Sequence, residues 1–487
     1  MRTRSSERLP LMPGEAGDLA GERLEPRAGG TCRTLRALGI AWLCGLGLPG
    51  LLAAQVAPSG PKPAAPVSPS QRCIFQIDNV DRQGAVNETP TGTNYFAGGN
   101  VRLSCRGTQI SMQSDSVAAY GGSVVQFIGK VKYRDSTLSM EADRGTYYKS
   151  GERWEARGNV DTRNFKTGST LTGPSLDYYR AVKGVRDTLE MYAVGRPKIS
   201  YVETEADSVH RPEPYLIVAD RVRFKGNDKI WAGGKVTIDR SDFAARSDSM
   251  RLDTGPGSDG TLIGGEPILR GLGTDSFRLE GKRIDLALQE RELRRVVAKG
   301  EGHARNRDWD LTADTIAIDL DQRKLERTLA WGTGTRPYAV STSYAMRADS
   351  LALDSPGQLL REVRGYGRAW LGGTTDSLAN DRDWMRGDTV IARFASADSA
   401  GKKRAVLSRI EARSAAQSYH LDHNPKAPRR PSINYARGDA ITVTMKPAAA
   451  GGVDRVDIRG KVDGIQLEAA SDSGSTADTT RARGVRR

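Results

Sequence analysis

The segment LTADTIAIDL, residues 311–320, decides the fold class of this chain because its apolar residues alternate and then change parity. Leu311 and Ala313 occupy alternate positions, as do Ile316 and Ile318, but the two pairs fall on opposite parities. Successive side chains of a β-strand point to opposite faces, so a regular strand would turn one pair away from the core. A β-bulge, one extra residue in a strand, returns both pairs to the same face. The segment therefore predicts a bulged strand.

The same change of parity recurs along the chain, after a small residue that is usually followed by Asp. Ten copies of this unit occur at intervals of 28 to 51 residues, and another residue replaces the Asp in two of them. The copies begin at Ser114, Ala142, Gly173, Ala219, Ser247, Gly281, Ala313, Ala348, Gly387 and Gly438. A bulge in every second strand predicts a continuous crease across one sheet.

A second unit, a Gly followed two positions later by Val, Pro or Ala, lies between copies of the first. In FIGKVKY the parity is kept, because Phe127, Gly129 and Val131 occupy alternate positions. The Gly is therefore expected where a side chain would have pointed inward, and a Gly within a strand often marks a bend or a close approach. Further copies are centred on Gly158, Gly195, Gly234, Gly302, Gly367 and Gly460. Both units predict the same crease.

Alternation with a period of two dominates the sequence, and no segment shows sustained helical periodicity. The best helical candidate is RIDLALQERELRRVVAKG at residues 283–300. We interpret it as two strands joined at Gln289 and Glu290, because its first apolar residues alternate. The sequence therefore predicts an all-β chain of about twenty strands.

Basic residues exceed acidic ones, with 73 Lys and Arg against 59 Asp and Glu and a formal net charge of +14. A surplus of this kind favours anionic partners such as nucleic acid, phospholipid or a phosphorylated glycolipid. The basic residues are scattered among acids, however, and no helix-turn-helix, finger or RNA-recognition signature accompanies them. We therefore do not expect the protein to bind nucleic acid.

The N-terminal residues 1–55 have the features of an export signal. Arg33 and Arg36 precede a short apolar centre, and the small residues Ala53 and Ala54 end it, so cleavage is expected close to them. Export places the mature protein in the periplasm. An uncleaved anchor in the inner membrane is the alternative, although the apolar segment is short for a membrane span.

Export also bears on the four Cys residues. Cys32 and Cys44 would leave with the signal, whereas Cys73 and Cys105 would remain in an oxidising compartment, where disulfides persist. A disulfide between these two residues and a pair of isolated thiols are both consistent with the sequence.

Composition divides the chain further. We predict an export signal at 1–55, a Pro-rich linker at 56–72, a β module at 73–210, one or more further β modules at 211–470 and a disordered tail at 471–487. The division between modules is expected within residues 205–215, where an insertion lengthens the repeat interval.

The repeated Asp residues resemble metal ligands or acid–base pairs, but the repeat offers a structural explanation. An Asp at a bulge can accept hydrogen bonds from backbone N–H groups that the bulge leaves unpaired. His420 and His423 lie close together, yet no set of Cys and His has zinc spacing. A Gly-rich phosphate loop and a GxSxG motif are also missing. We therefore predict no catalytic residue, metal site or cofactor, and a protein that is not an enzyme.

A line of apolar residues is predicted to face the inside of the creased sheet. Small residues near the crease would leave a slot there, which suits an amphiphile with acyl chains and an anionic head. A closed β-sandwich with a filled core is the alternative. The candidate lipid-binding residues are Val117, Phe127, Val131, Met140, Trp154, Val160, Leu171, Val222, Phe224, Val236, Met250, Ile316 and Leu351.

Several longer segments resemble the OstA-like family of lipopolysaccharide transport proteins. They are GKVKYRDSTLSMEADRGTYY, ERWEARGNVDTRN with LTGPSLDYY, and YLIVADRVRFKGNDKIWAGGKVTID. The family includes the periplasmic bridge protein, its inner-membrane partner and the periplasmic part of its outer-membrane partner. The resemblance covers residues 73–470 and implies an extended, twisted antiparallel β-jelly roll, a folded, V-shaped open sheet of about ten tandem repeats.

The resemblance also implies a function and partners. The inner apolar face would carry the acyl chains of lipopolysaccharide or a similar glycolipid from the inner to the outer membrane, in contact with the transport components of both. End-to-end joining, including a head-to-tail homo-oligomer, is expected because both terminal strands would be free edges. We place these edges near residues 101–105 and 456–467.

Two other functions compete with this interpretation. The first is a structural or adhesive exported β-repeat protein with a filled core. The second is a polysaccharide-acting β-helix enzyme, which the unequal repeat intervals disfavour, because the rungs of such enzymes recur at a nearly fixed interval.

Overall fold

The computed structural model describes most of the chain beyond residue 71. The described residues are 72–86, 90, 92–202, 213–255, 258–272, 276–289, 292–373, 382–399, 402–422, 431–447 and 452–468. The expected export signal, Cys32, Cys44, the disordered tail and His423 lie outside them, as does nearly all of the linker.

The described residues form 30 β-strands, all in one antiparallel sheet. The strands are β1 (Phe75–Asn79), β2 (Arg82–Val86), β3 (Asn94–Cys105), β4 (Ser111–Tyr120), β5 (Val124–Arg134), β6 (Leu138–Tyr148), β7 (Arg153–Asn164), β8 (Thr170–Tyr179), β9 (Glu190–Val194), β10 (Lys198–Tyr201), β11 (Tyr215–Val218), β12 (Arg221–Lys225), β13 (Lys229–Asp239), β14 (Phe243–Asp253), β15 (Asp259–Ile263), β16 (Ile268–Gly271), β17 (Phe277–Glu280), β18 (Arg283–Gln289), β19 (Glu292–Arg305), β20 (Asp310–Asp321), β21 (Lys324–Trp331), β22 (Tyr338–Val340), β23 (Tyr344–Arg347), β24 (Ser350–Asp354), β25 (Glu362–Gly373), β26 (Trp384–Ser399), β27 (Lys402–Asp422), β28 (Ser432–Met445), β29 (Val453–Arg459) and β30 (Asp463–Leu467).

The prediction of an all-β chain is confirmed. Within the described residues the single helical element is a short 3₁₀ turn at Pro356–Gln358. The segment at 283–300 that competed as a helix consists of strand β18 and the first part of β19, as expected.

Most long strands change neighbours halfway along their length, and this divides the sheet into two walls. The first half of β13 pairs with β12 through Ile230↔Phe224, and the second half pairs with β11 through Ile238↔Ile217. We call the halves on the β12 side the first wall and those on the β11 side the second wall. Buried side chains of both walls belong to one hydrophobic core, so the walls enclose it between them.

The register of the sheet shifts at the position predicted in residues 311–320, but the extra residue lies on the neighbouring strand β19 and not on β20. Strand β20 pairs with β19 through Ala313↔Gly302 and Thr315↔Lys299, so that Asp314 alone lies opposite two residues of β19. As a result Ala313 and Ile316 both face the core, and each is at most 1% exposed. Period-two reasoning therefore located the crease and the side chains of β20 that change parity there, but it assigned the extra residue to the wrong strand.

The Gly side of the crease differs from the prediction in two respects. In the segment GEG at residues 300–302 the bulged residues are Gly300 and Glu301, with φ of +74° and +54°, and Gly302 is paired in the ladder. The motif was therefore centred two residues too late. A Cβ on Gly129 would not point into the core either, because it would run into the exposed side chain of Asp115 on the neighbouring strand.

This contact between a Gly and an Asp of a neighbouring strand or turn recurs along the crease, and we call it the Gly–Asp clasp. The pairs are Gly99 with Asp81, Gly129 with Asp115, Gly158 with Asp143, Gly234 with Asp220, Gly265 with Asp248, Gly332 with Asp314, Gly367 with Asp349 and Gly460 with Asp439. Only a residue without a side chain leaves room for the carboxylate, so the Gly and the Asp of each clasp depend on each other.

The free edges of the sheet lie at its two ends. The edge expected near residues 101–105 is wrong, because β1 pairs with β3 there through Phe75↔Cys105. Strands β1 and β2, each paired only with β3 among the described strands, form that edge instead. At the other end β29 and β30 pair with β28 and with no other described strand, which agrees with the edge predicted near 456–467.

The sheet continues through the segment expected to separate two modules. Strands β10 and β11 lie on either side of residues 203–212 and pair with each other through Tyr201↔Tyr215. The division within 205–215 stays a prediction. Among the described residues, no helix has the length and apolar character that a membrane span requires.

Candidate functional site

The thirteen candidate lipid-binding residues lie in or against the core. Twelve of them are at most 5% exposed, and Val117 is partly buried and packs against the others. Trp154 shows how tightly this region is filled, with its ring centroid 4.9 Å from that of Phe127 and 5.0 Å from that of Tyr133. The structure thus brings these residues together in a packed interior, and their contact with lipid stays a prediction.

A buried polar network seals the N-terminal end of the core. Glu152 is 0% exposed, and its carboxylate accepts hydrogen bonds from Arg180 at 2.6 Å, Tyr147 at 2.5 Å and the backbone N–H of Cys73 at 3.2 Å. Burial, followed by the bond to Glu152, raises the pKa of Tyr147 well above its usual range. The disulfide between Cys73 and Cys105, one of the two alternatives left open by the sequence, fastens the same end.

The side of the core opposite the crease, which we call the mouth, is closed around Asn227. Asn164 at the end of a second-wall strand donates to Asn227 in a first-wall turn at 3.3 Å. Tyr201 donates to the carbonyl of Asn227 at 2.7 Å and lies 2.7 Å from the hydroxyl of Thr254. The space beside these contacts has a volume of only ≈ 30 Å³. Side-chain contacts between the walls therefore shut the mouth here.

The core opens into a cavity at the C-terminal end of the sheet, which we call the terminal cavity. Its volume is ≈ 510 Å³. The first wall contributes Ile410, Val443 and Ile458, and the second wall contributes Leu371 and Met385. Five apolar side chains from two walls thus line a space that nothing in the described structure fills.

The change from filled to open is visible in the exposure of equivalent side chains. Val236, which faces the core from β13, is 1% exposed, whereas Val456, which faces it from β29, is 49% exposed. Ile458 is also only partly buried. Burial declines over the last strands because no strand pair follows them among the described residues.

Aromatic and polar groups form one border of the terminal cavity. Trp384 stacks on Tyr419 of the next strand, with a centroid distance of 5.9 Å and an interplanar angle of 7°. Asp383 accepts hydrogen bonds from the backbone N–H of Leu421 at 2.8 Å and lies 2.7 Å from Nδ1 of His420. Burial, followed by the charge of Asp383, raises the pKa of Tyr344.

A second opening adjoins the terminal cavity, and we call it the basic cleft. It has a volume of ≈ 590 Å³ and shares Tyr344 and Met445 with the cavity. It lies at the mouth, between second-wall turns and the long first-wall hairpin of β26 and β27. Arg404 and Lys446 contribute positive charge to it, whereas Arg307 forms an ion pair with Asp308, which also lines the cleft. The two openings together place an apolar space beside a cationic one.

The crease carboxylates support the structural role predicted for them. Asp314 accepts backbone N–H bonds from Gly334 and Thr335, and these lower its pKa. Elsewhere the partner is a side chain, as where Arg368 binds Asp349 at 2.7 Å and lowers the pKa of that carboxyl. The prediction was thus too narrow, since it named only backbone donors.

No group of three or more His, Cys, Asp and Glu side chains in the described part of the chain is arranged to hold a metal ion. His420 has Asp383 as a partner. The predictions of no cofactor and no enzymatic activity rest on the sequence and stay predictions.

Sequence reasoning missed the terminal cavity. Its inward residues, such as Val443 and Ile458, follow the same alternation as residues of the filled core. One signal was available, because the C-terminal edge near 456–467 was expected to be free, and an uncovered edge exposes its inward side chains. Comparison with known proteins gives no further guide, since no family model and no curated protein matches the chain.

Proposed function

We propose that the protein binds the acyl chains of lipopolysaccharide, or of a similar anionic glycolipid, in the terminal cavity. One observation carries the proposal: the apolar interior, which is closely packed around Trp154, opens there between the two walls with a volume of ≈ 510 Å³. Ligand pockets of this size are lined mainly by apolar and aromatic side chains with a few polar groups, and the terminal cavity has that composition.

The basic cleft supplies the complementary part of an amphiphile site. An acyl chain in the terminal cavity would bring its anionic head to Arg404 and Lys446 at the adjoining cleft. Among the described residues neither side chain has a carboxylate partner at ion-pair distance. The surplus of 73 Lys and Arg over 59 Asp and Glu favours the same class of ligand.

We further propose that molecules join end to end. Both terminal edges expose apolar side chains beside unpaired backbone, with Ile77 at 56% at one end and Ile465 at 59% at the other. Pairing of such edges would extend the sheet from one molecule to the next and would cover the terminal cavity. In this arrangement the protein is a periplasmic bridge between inner-membrane and outer-membrane transport components.

The finer fold description belongs to the same proposal. A creased sheet of about ten tandem units, with clasps along one side and a mouth on the other, has the layout of the β-jelly roll of OstA-like proteins. The recurrence of the Gly–Asp clasp supports this, as does the position of the cleft at the mouth.

A matched pair of variants on β28 tests lipid binding. Val443→Asp places a charge in the terminal cavity, whereas Thr442→Asp places one on the outer face of the same strand. We expect acylated lipid, extracted from detergent-free protein and quantified by mass spectrometry, to be lost from the first variant and retained in the second. Equal lipid content in both variants and in the unchanged protein would exclude the terminal cavity as the site.

A structural or adhesive protein with a filled core is the second candidate function. The packed interior around Trp154, which is 0% exposed, favours it. Under this function the unchanged protein, purified without detergent from cells containing lipopolysaccharide, would carry no stoichiometric lipid. The same mass spectrometry therefore separates the two functions.

A further inference from the structure

The outer face of the first wall carries a ladder of ion pairs. Arg223 binds Glu190 at 3.1 Å, and Arg283 binds Asp285 at 2.6 Å. Farther along the sheet Arg327 binds Asp354 at 2.7 Å. Acidic and basic side chains thus neutralise each other within and between strands on this face.

The ladder is interrupted where two small residues are neighbours across β13 and β14. Gly233 pairs with Ser249, and the outward positions that continue this row are Arg221 on one side and Ile263 on the other. Because Gly233 has no side chain and that of Ser249 is small, a groove with a volume of ≈ 600 Å³ remains on the outer face. We call it the outer groove. It is separate from the core, because its outward residues alternate with buried ones such as Val222 and Met250.

One guanidinium at the outer groove has no counterion among the described residues. Arg221 forms no ion pair with any described carboxylate, and its cross-strand neighbours are Val194 and Gly233. Its side chain lies over Gly233, with Nε 3.1 Å from the place where a Cβ of that residue would stand. A positive charge is therefore held over an open space without neutralisation.

Three more Arg residues border the groove, and an aromatic surface lies between them. Arg223 lies 5.3 Å from the ring centroid of Trp231 and 5.1 Å from that of Tyr192. Arg251 reaches its nearest carboxylate, Asp259, at only 3.5 Å. The groove thus combines apolar and aromatic surface with an excess of planar guanidinium groups, which bind phosphate in a bidentate manner.

We propose that the outer groove binds a phosphate ester carried on a ring, with the phosphate at Arg221 and the ring against Trp231. Arg221 and Arg283 border the groove from strands four spacings apart, about 19 Å along the sheet. Their side chains both contribute to the lining, so the space between them suits a ring and its phosphate better than a bare anion. Sugar phosphates and nucleoside phosphates share this chemistry.

The outer groove and the terminal cavity lie on different faces and share no lining residue. The inference therefore does not depend on the proposed lipid-binding function. Either site could fail its test and leave the other unaffected.

Isothermal titration calorimetry of the mature chain tests the inference, with glucose 1-phosphate and uridine 5′-monophosphate as probes. Glucose and inorganic phosphate serve as controls for the ring and the anion alone. We expect saturable binding of at least one ester. The affinity should fall about tenfold or more in Arg221→Gln, because a charge-assisted hydrogen bond to phosphate is lost. Ser249→Phe, which fills the groove, should abolish binding.

Arg246→Gln is the matched control, because Arg246 is an exposed residue of the same strand, β14, on the other side of the crease. It should leave the affinity unchanged, and binding of only one of the two esters would identify the ligand class. An equal loss in Arg246→Gln would show nonspecific charge attraction and overturn the inference. Absence of saturable binding by both esters, or inorganic phosphate bound as tightly as either, would overturn it too.

Discussion

The N-terminal and C-terminal parts of the sheet have similar strands but different interiors. Around β5 to β20 the two walls meet in a filled core, with Val131 and Val236 at 2% and 1% exposure. At β28 to β30 equivalent residues such as Val456 are half exposed and border the terminal cavity. The difference shows that burial in this fold comes from the neighbouring strand pairs, since each strand covers the next. The last described strands keep the alternation of apolar and polar residues, but no further described strand pair covers their apolar face.

The largest loss of stability is expected from a charge placed in the filled part of the core. Ile316 is 0% exposed, so Ile316→Asp would bury an unpaired carboxylate and should lower the free energy of unfolding by about 3 kcal/mol or more. Thr315→Asp, one residue away on the outer face beside Lys299, should change it by less than about 0.5 kcal/mol. Urea unfolding followed by circular dichroism measures both. Similar losses in the two variants would mean that the side chains of β20 do not change parity at Asp314.

The next largest loss of stability is expected from removing the disulfide at the N-terminal end of the sheet. The disulfide closes a loop of 32 residues, and removing it with Cys73→Ser and Cys105→Ser should cost about 3 kcal/mol through the entropy of the unfolded chain. Because contacts in such an array are local, we expect faster amide hydrogen exchange in β1 to β4 and unchanged exchange in β25 to β28. Uniform acceleration along the chain would contradict the idea that the two ends are stabilised separately.

The smallest loss of stability is expected from a substitution that disturbs one Gly–Asp clasp. Gly367 has a φ of +73°, and a Cβ there would lie 2.5 Å from Oδ2 of Asp349. Gly357 has a φ of +64° but no atom within 4 Å of its Cβ position. Both substitutions by Ala incur left-handed strain of about 1 kcal/mol, and Gly367→Ala should lose a further ~1 kcal/mol to the contact with Asp349.

Thermal unfolding of the two Ala variants measures the difference between them. Asp349→Ala combined with Gly367→Ala should restore part of the stability lost in the single Gly variant, because the carboxylate is then gone. Equal destabilisation of Gly367→Ala and Gly357→Ala would show that the clasp contributes only backbone strain.

Much of the fold could be predicted from the sequence because the side-chain period of a strand is short and strict. The change of parity between Ala313 and Ile316 required an irregularity in the sheet, and the structure has a β-bulge at this point, although its extra residue lies on β19. The Gly partner was placed at Gly302 instead of Gly300 because both positions have the same parity, and only the pairing register separates them. Alternation tells which face a residue occupies, not which residue lies opposite.

The two candidate sites were harder to predict for the same reason. The terminal cavity exists because no described strand pair covers β29 and β30. The sequence around Val443 does not reveal this, since it has the same alternation as the sequence around a core residue. The outer groove depends on Gly233 and Ser249 standing side by side across β13 and β14. These residues are 16 positions apart in the sequence, so only the register could reveal the gap between them.

Photo-crosslinking in cells tests the account's central claim, that the open end of the core holds lipid, most directly. A crosslinking amino acid would be placed at 443, which faces the terminal cavity, and at 442, which faces outward on the same strand. The account predicts adducts with labelled lipopolysaccharide at 443 and none at 442. Adducts of equal yield at both positions, or at 442 alone, would contradict it, and so would a complete absence of adducts at 443.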